Sequence, residues 1–290
     1  MTAKHTPARP LRRTRRNIAN SLMWVGAILA TLIALTPLFM VLFYLMKTGL
    51  PALNPGFFTQ MPKPVGEPGG GMANAIVGSV ILVALASLVG LPIGIFGGIY
   101  LAEFGNTRWG AGMRFAADVL ASVPSIVIGI LVYTIIVLPT KQFSALAGGL
   151  ALGIMMIPTV MRTTDELVRM VPMALRESAL SLGVTRFRTV FTVVITSARA
   201  GIITGVLLAI ARVAGEAAPL LFTALGNSYM STKLDQPIAS LPVQIYLYAN
   251  SPYDTWQAQA WAGALVLVFL ILGLSAAARY ATKGRLRTVR

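Results

Sequence analysis

Two oppositely charged residues, Arg212 and Glu216, lie within an otherwise apolar stretch of the sequence. Their spacing of four places both side chains on one face of a helix. On insertion scales, a lone arginine at the centre of a membrane span raises the free energy of insertion by about 2.5–3.5 kcal/mol. Random evolutionary drift is therefore a poor explanation for two charged residues in one span. The planar guanidinium of Arg212 suits a tetrahedral oxyanion. We expect either a charge site on a path through the membrane, where Glu216 holds or releases Arg212, or a buried ion pair that joins helices.

The sequence offers little other chemistry. It has no Cys and a single His, His5, which excludes disulfides, Cys nucleophiles and a multi-histidine metal site. No Gly-x4-Gly-Lys-Ser/Thr phosphate loop is present, so we expect no ATP binding and no cofactor in this chain. The acids near the ends of apolar segments show no spacing typical of acid–base catalysis. We expect them to be solvated or helix-end charges; they are Glu103, Asp118, Asp165 and Glu166.

A polar, helix-prone segment separates two strongly apolar stretches and contains Glu177, Ala179 and Gly183. A structured polar segment on the basic side of a membrane protein predicts a docking surface. Gly183 permits a sharp turn at the end of such a helix. We expect Glu177 to face the docked partner and to anchor the contact.

Composition indicates a polytopic membrane protein. The chain is 56% hydrophobic and 11% charged, whereas an ordinary soluble domain carries about 25% charged residues. Six apolar segments are long enough to cross a bilayer. They run approximately over residues 21–46, 72–102, 115–138, 144–163, 198–225 and 257–279. The first is far longer than the apolar part of a signal peptide, so we predict an uncleaved helix.

These segments predict one membrane domain, residues 21–282, with basic tails at residues 1–20 and 283–290. A loop at about residues 164–197 joins the fourth and fifth spans and carries the polar segment. The outer side holds only Lys47, Lys63, Lys141 and Lys233, while every other Lys and Arg except Arg212 lies on the inner side. This bias predicts that both termini and the loop are cytoplasmic. It also explains the net charge of +15 without nucleic acid as a partner.

The two large outer loops differ in composition. The first is rich in Pro and Gly, which predicts an extended crossing without a core of its own. The last, about residues 226–256, is apolar and aromatic. It forms either an interfacial helix, a contact for an outside protein, or an aromatic belt at headgroup depth. The belt residues are Tyr246, Tyr248, Tyr253 and Trp256.

Glycines recur every four residues within several spans, which predicts close helix packing because small residues let helix backbones approach. The prolines within spans should kink or open a helix, and a broken helix survives where it faces protein or water. The glycines are Gly90, Gly94, Gly98, Gly149, Gly153, Gly201 and Gly205, and the prolines are Pro92, Pro124 and Pro158.

The segment around Glu177 resembles the Glu-Ala-Ala…Gly coupling loop of ABC importer permeases, with Ser178 in place of the first Ala and Thr196 in place of the terminal Pro. The sequence Ala211-Arg-Val-Ala-Gly-Glu-Ala-Ala-Pro-Leu-Leu-Phe222 is similar to a helix of the A-type permease of the phosphate-specific (Pst) ABC importer family. Residues 92–103 and 122–129 also look familial. The likeness covers about residues 20–280.

The resemblance implies an all-α, six-helix bundle with the type I ABC importer permease (MetI-like) fold, in the bacterial inner membrane. It implies import of inorganic phosphate together with a C-type permease, an ATPase dimer that docks at Glu177, Ala179 and Gly183, and a periplasmic or lipid-anchored phosphate-binding protein. Arg212 and Glu216 then line or gate the path, and ATP is hydrolysed in another subunit. Other readings stay open at this point: a permease for another oxyanion or solute, or a membrane receptor or signalling scaffold.

Overall fold

The computed structural model describes residues 10–67 and 69–283, which contain helices and no β-strand. The predicted all-α class is confirmed. In chain order the α-helices are α1 (Pro10–Gly49), α2 (Pro55–Thr59), α3 (Ala73–Phe104), α4 (Arg108–Ser122), α5 (Ser125–Val132), α6 (Leu138–Thr140), α7 (Ala145–Arg169), α8 (Met173–Ser181), α9 (Arg186–Thr189), α10 (Ile195–Ala214), α11 (Ala218–Thr223), α12 (Leu241–Ala249) and α13 (Asp254–Lys283). Short 3₁₀ and π segments lie between some of them, at Leu50–Ala52, Tyr133–Val137 and Val190–Val194.

Five of the described helical stretches are long and apolar enough to cross a membrane. They are Asn17–Ala52, Ala73–Phe104, Ala145–Arg169, Arg186–Ala214 and Asp254–Ala276. A sixth span results if the bent pair formed by α4 and the stretch Ser125–Thr140 crosses as one. The described chain therefore supplies up to six spans, the number expected from the apolar segments.

The chain divides into two compact units, Met1–Thr48 and Gly49–Arg290. In the first unit, the apolar side chains of α1 are exposed around much of the helix; Trp24 is 65% and Phe43 is 70% exposed. A helix that is apolar all round is typical of a membrane span or the core of a larger assembly.

The centre of the second unit is the packing of α3 against α7. A Cβ added at Gly90 would lie 2.9 Å from the carbonyl oxygen of Gly153, and one at Gly94 would lie 2.7 Å from Cβ of Val160. At Gly98 it would lie 2.5 Å from the carbonyl oxygen of Met161. The predicted role of these glycines in close helix packing is confirmed, because each leaves room for backbone or a branched side chain of the facing helix.

Of the three prolines that we expected to kink or open a helix, only Pro124 interrupts one. α3 and α7 continue through Pro92 and Pro158. At Pro124 the chain instead bends by 100° between α4 and the stretch that begins at Ser125. Val123 is extended there (φ −67°, ψ 129°), because a residue before proline avoids the helical region. The segment predicted as a span over 115–138 is therefore two helices at an angle, and the break expected at Pro124 is confirmed.

The two loops predicted to lie on the outer side contribute to a core of their own. Phe57 in α2 is fully buried, together with Met72, Leu241 of α12 and Tyr248. Tyr248 stacks on Trp256 with a centroid separation of 4.5 Å. Burial raises the pKa of Tyr248, and a hydrogen bond with the side chain of Gln244 partly opposes the shift.

This core corrects two expectations about the loops. The Pro- and Gly-rich loop is not a coreless crossing, since Phe57 anchors it. The last loop contains a helix, α12, and Tyr248 is 4% exposed, so Tyr248 is part of the protein core and not of an aromatic belt. Tyr246 and Tyr253 remain 52% and 44% exposed.

Candidate functional site

The helix that carries Arg212 ends before it reaches Glu216. α10 stops at Ala214, and Gly215 is its C-terminal cap, with its N–H donating to the carbonyl oxygen of Arg212 at 3.3 Å. α11 starts at Ala218 with Pro219 in its first turn, where a proline costs no helical hydrogen bond. The prediction of one continuous helix over 198–225 with both charges on one face is wrong, because α10 ends at its cap Gly215, between the two residues, and a new helix starts at Ala218, after Glu216.

Across the break, the two charges do not pair with each other among the described residues. Arg212 is exposed and Glu216 is half-buried. Among the described residues, neither side chain takes part in an ion pair, although five other pairs form. An internal ion pair therefore does not explain Arg212. The guanidinium of Arg212 is exposed near the C-terminus of α10, where it is accessible to a group that lies beside this helix.

The polar segment forms α8, a helix of nine residues. Glu177 is exposed, whereas Ala179 is 8% exposed and packs inward. Gly183 has φ +78°, the left-handed conformation that only glycine adopts without strain. Its N–H donates to Leu180 O at 2.9 Å, and the N–H of Val184 donates to Ala179 O at 3.2 Å. The predicted turn at Gly183 is confirmed, and Glu177 lies on the outer face of the helix that the turn ends.

Exposed apolar side chains flank α8 along the chain. Met170, Met173, Leu182 and Phe187 are 76%, 66%, 83% and 74% exposed. Contiguous exposed apolar side chains rimmed by polar groups mark interaction surfaces. The spacing of Glu177, Ala179 and Gly183 does not predict this feature, since Met170 and Met173 precede the motif and Leu182 and Phe187 occupy positions that the motif leaves unspecified.

A buried ion pair ties α8 to the end of α3. The guanidinium of Arg176 contacts the carboxylate of Glu103, and the two side chains are 14% and 5% exposed. Arg176 also donates to the carbonyl oxygen of Val168 at 2.8 Å. The helix that carries Glu177 on one face is thus fixed on its other face to both α3 and α7.

The C-terminus of α3 is covered by further arginines. Arg114 donates to the carbonyl oxygens of Gly105 at 2.9 Å and Leu101 at 2.6 Å. Arg186 donates to the carbonyl oxygen of Glu103 at 3.1 Å. Since the last carbonyls of a helix lack intrahelical partners and carry partial negative charge, these guanidiniums stabilise the helix end.

Asp165 is the second buried acid. It is 7% exposed and accepts from Nε of Arg114 and from Nε of Arg169, each at 2.8 Å. The expectation of solvated or helix-end charges therefore holds for Glu103 only as a helix-end charge of α3, and it is wrong for Asp165, which is buried within α7. Asp118 and Glu166 fit it, since both are exposed and contact the exposed Arg162. No local pattern distinguishes the two groups: Asp165 and Glu166 both pair with an arginine four residues away in α7, and Asp165 is in addition reached by Arg114 of α4.

Comparison with known proteins identifies the family. The profile of the family described as "Binding-protein-dependent transport system inner membrane component" matches residues 90–286. The phosphate transport system permease protein PstA of Yersinia pestis is 44% identical over 91% of this chain and 90% of its own length. PstA of Xylella fastidiosa is 50% identical over 81% of this chain and 82% of its own.

The chain belongs to this family of transport permeases, within its PstA branch. The matched region contains α8, the buried ion pairs and Arg212. Membership makes the chain a multi-pass membrane protein, in agreement with its apolar helices.

Solved structures show the same fold. The chain is 14% identical to a chain of a bacterial ABC transporter involved in the import of the acidic polysaccharide alginate, with a TM-score of 0.66 over 94% of this chain and 99% of that one. A chain of the inward-facing MetNI methionine ABC transporter gives a TM-score of 0.58 at 14% identity, over 73% of this chain and 93% of that one. The type I importer permease fold is confirmed.

Proposed function

We propose that this chain is a permease subunit of an ATP-driven importer of inorganic phosphate and forms half of its translocation path. The observation that carries the proposal is the identity of 44–50% to PstA phosphate permeases over most of both chains. The exposed Arg212 at the end of a broken apolar helix is chemically consistent with an oxyanion as cargo.

The partners in this proposal are a C-type permease, an ATPase dimer, and a periplasmic or lipid-anchored phosphate-binding protein. Both termini and α8 face the cytoplasm, which the distribution of Lys and Arg supports. The sequence has no phosphate-loop motif, so in this proposal the chain is non-catalytic, needs no cofactor, and relies on the ATPase subunits for hydrolysis.

Docking occurs at α8. Its exposed Glu177 and the apolar side chains around it meet the ATPase, while the buried Arg176–Glu103 pair connects the same helix to α3. A movement of α8 is then passed to the bundle through contacts that are buried and hydrogen-bonded. On the outer side, a cavity of about 830 Å³, lined in part by Asn227, Tyr229 and Gln244, supports entry of cargo from the binding protein.

ATP-dependent uptake of labelled phosphate tests the function. The assembled importer with its binding protein is reconstituted in liposomes, and sulfate and molybdate are added as competitors. We expect uptake that needs ATP and is displaced by phosphate alone. Uptake displaced equally by another oxyanion would reject phosphate as the cargo, and assembly without uptake would favour a signalling scaffold.

Arg212→Gln is expected to lower phosphate uptake at least tenfold without loss of assembly. The variant keeps a polar side chain that can donate hydrogen bonds but removes the positive charge that attracts an oxyanion; charge-assisted bonds contribute about 1.5–3 kcal/mol. Arg199→Gln is the matched control, since Arg199 is exposed on the same helix and has no ion-pair partner among the described residues. Normal uptake by Arg212→Gln, or equal loss in both variants, contradicts a role in the path.

Glu177→Lys is expected to weaken association with the ATPase and to lower ATP-coupled uptake by about tenfold, because it reverses the charge at the centre of the docking helix. A pull-down and an uptake assay measure the two effects. Glu67→Lys, in the loop between α2 and α3, serves as the charge control. Gly183→Val tests the same helix through strain at φ +78°. The docking role is refuted if Glu177→Lys and Gly183→Val both leave association and uptake intact.

A further inference from the structure

A cavity of about 580 Å³ lies beside α8, next to the ends of α3, α7 and α9. Its volume falls within the range of roughly 300–1,000 Å³ that small-molecule sites occupy. The polar part of its lining consists of Glu103, Asn106, Arg169, Arg176, Arg186 and Thr189. Three guanidiniums and one carboxylate therefore face a common space, which leaves an excess of positive charge.

The arginines retain donors for a ligand. A guanidinium carries five N–H groups. Among the described residues, Arg169 contacts Asp165 and Leu101 O, and Arg176 contacts Glu103 and Val168 O. Within the part of the chain that the structure describes, Arg186 donates only to Glu103 O, and it lies 5.0 Å from the centroid of the Phe104 ring. Each guanidinium thus keeps unused N–H groups, with Arg186 the least engaged.

Thr189 provides an independent sign that the cavity takes a polar ligand. The residue lines the cavity and is 3% exposed. Its hydroxyl is buried and has no hydrogen-bond partner among the described residues. Buried hydroxyls without a partner are uncommon, since leaving one unsatisfied costs free energy. Thr189 also lies at the end of α9, only three residues from Arg186.

We propose that this cavity binds a phosphate group, held by Arg186, Arg176 and Arg169 with the Thr189 hydroxyl as a further donor. Forked guanidinium donors match the oxygens of a phosphate better than a single ammonium does. The site is distinct from the transport path, because Arg212 lies roughly 35 Å further along the helix that starts at Arg186. A bound anion bridges the ends of α3 and α7 to α8 and α9, and so holds the docking helix.

The ligand has two possible sources, a soluble phosphate compound or the headgroup of an anionic lipid, and one experiment separates them. The importer is assembled without its binding protein in an Arg212→Gln background, which removes the charge of the path. Binding of labelled inorganic phosphate is measured in nanodiscs of phosphatidylcholine. Phosphatidylglycerol retained by the purified complex is measured separately by mass spectrometry.

We expect Arg186→Gln to weaken phosphate binding, or to lower the retained phosphatidylglycerol, by about tenfold, the effect of one charge-assisted bond. Thr189→Val is expected to weaken the same signal by a smaller factor. The matched control is Arg188→Gln, since Arg188 is exposed on α9 and does not line the cavity. Dependence on phosphate indicates the soluble source, and dependence on phosphatidylglycerol indicates the lipid.

Three outcomes overturn the site. The first is that neither phosphate nor phosphatidylglycerol binds, and the second is that Arg186→Gln and Arg188→Gln behave alike. The third is that a cross-linker at position 186 captures an ATPase side chain and the assembled importer binds no phosphate in the cavity. The cavity would then be a contact surface for the ATPase. Because ATP and uptake are not needed, the result is independent of whether the importer carries phosphate.

Discussion

Glu103→Ala is expected to destabilise the chain by about 3–5 kcal/mol, the usual cost of breaking a buried ion pair by removing one partner. The loss is large because Arg176 is 14% exposed and keeps its charge when the carboxylate is gone. Its other acceptor, Val168 O, does not neutralise that charge. α8 should detach from α3, so the variant should lose both stability and association with the ATPase.

Denaturant titration of the purified chain in detergent, followed by far-UV circular dichroism, measures the effect. Glu166→Ala is the matched control, because Glu166 also pairs with an arginine but both side chains are 63% exposed. Exposed pairs contribute about 0–1 kcal/mol. The double variant Glu103→Ala with Arg176→Met should recover much of the loss, since it removes the unpaired charge. Equal losses of stability in Glu103→Ala and Glu166→Ala would show that burial does not determine how much the Arg176–Glu103 pair contributes to stability.

In the proposed docking of an ATPase, the same pair would let a short surface helix act on a membrane bundle. α8 has nine residues and its outward face is occupied by the proposed ATPase contact. The inward contacts of α8 are made by Ala179, which is buried, and by Arg176. The guanidinium of Arg176 joins α8 to α3 through Glu103 and to α7 through Val168 O. After Gly183 the chain enters α9, the π-helical segment Val190–Val194 and α10. Displacement of α8 therefore reaches α3 through an ion pair and α10 through continuous backbone.

Features encoded locally could be predicted from the sequence. Apolar runs predicted the spans because a bilayer requires long helices whose backbone groups bond internally. Glycines four residues apart predicted close helix packing, which occurs where α3 meets α7, and Gly183 predicted the turn that ends α8. In each case the residues that carry the signal are also the residues that form the structure.

Features that depend on distant residues could not be predicted in this way. Glu103 and Asp165 are buried because Arg176 of α8 and Arg114 of α4 reach them, and Phe57 is buried because α12 and α13 pack around it. The break between α10 and α11 had a local signal, Gly215 followed by Pro219. The continuous apolar character of the segment outweighed it, since hydropathy does not distinguish one span from two helices.

Gly98→Ala is expected to destabilise the chain by about 1–3 kcal/mol or more, as overpacking of a tight contact does. The added Cβ would lie 2.5 Å from Met161 O, 2.6 Å from Cβ of Thr164 and 3.0 Å from the N atom of Asp165. Two of these atoms are backbone, so the clash cannot be relieved by a rotamer change. α7 must move away from α3.

Gly273→Ala is the control that separates packing from helix propensity. Gly273 lies within α13, and nothing outside its own helix lies within 4 Å of an added Cβ. The substitution there should be neutral or stabilise by up to about 1 kcal/mol, because alanine is the better helix former. Denaturant titration should therefore give shifts of opposite sign for the two variants. A shift of the same sign and size in both variants would mean that glycine is needed at position 98 for backbone flexibility and not for the close approach of α3 to α7. Loss of the contact between Asp165 and Arg114 in Gly98→Ala would support the close approach.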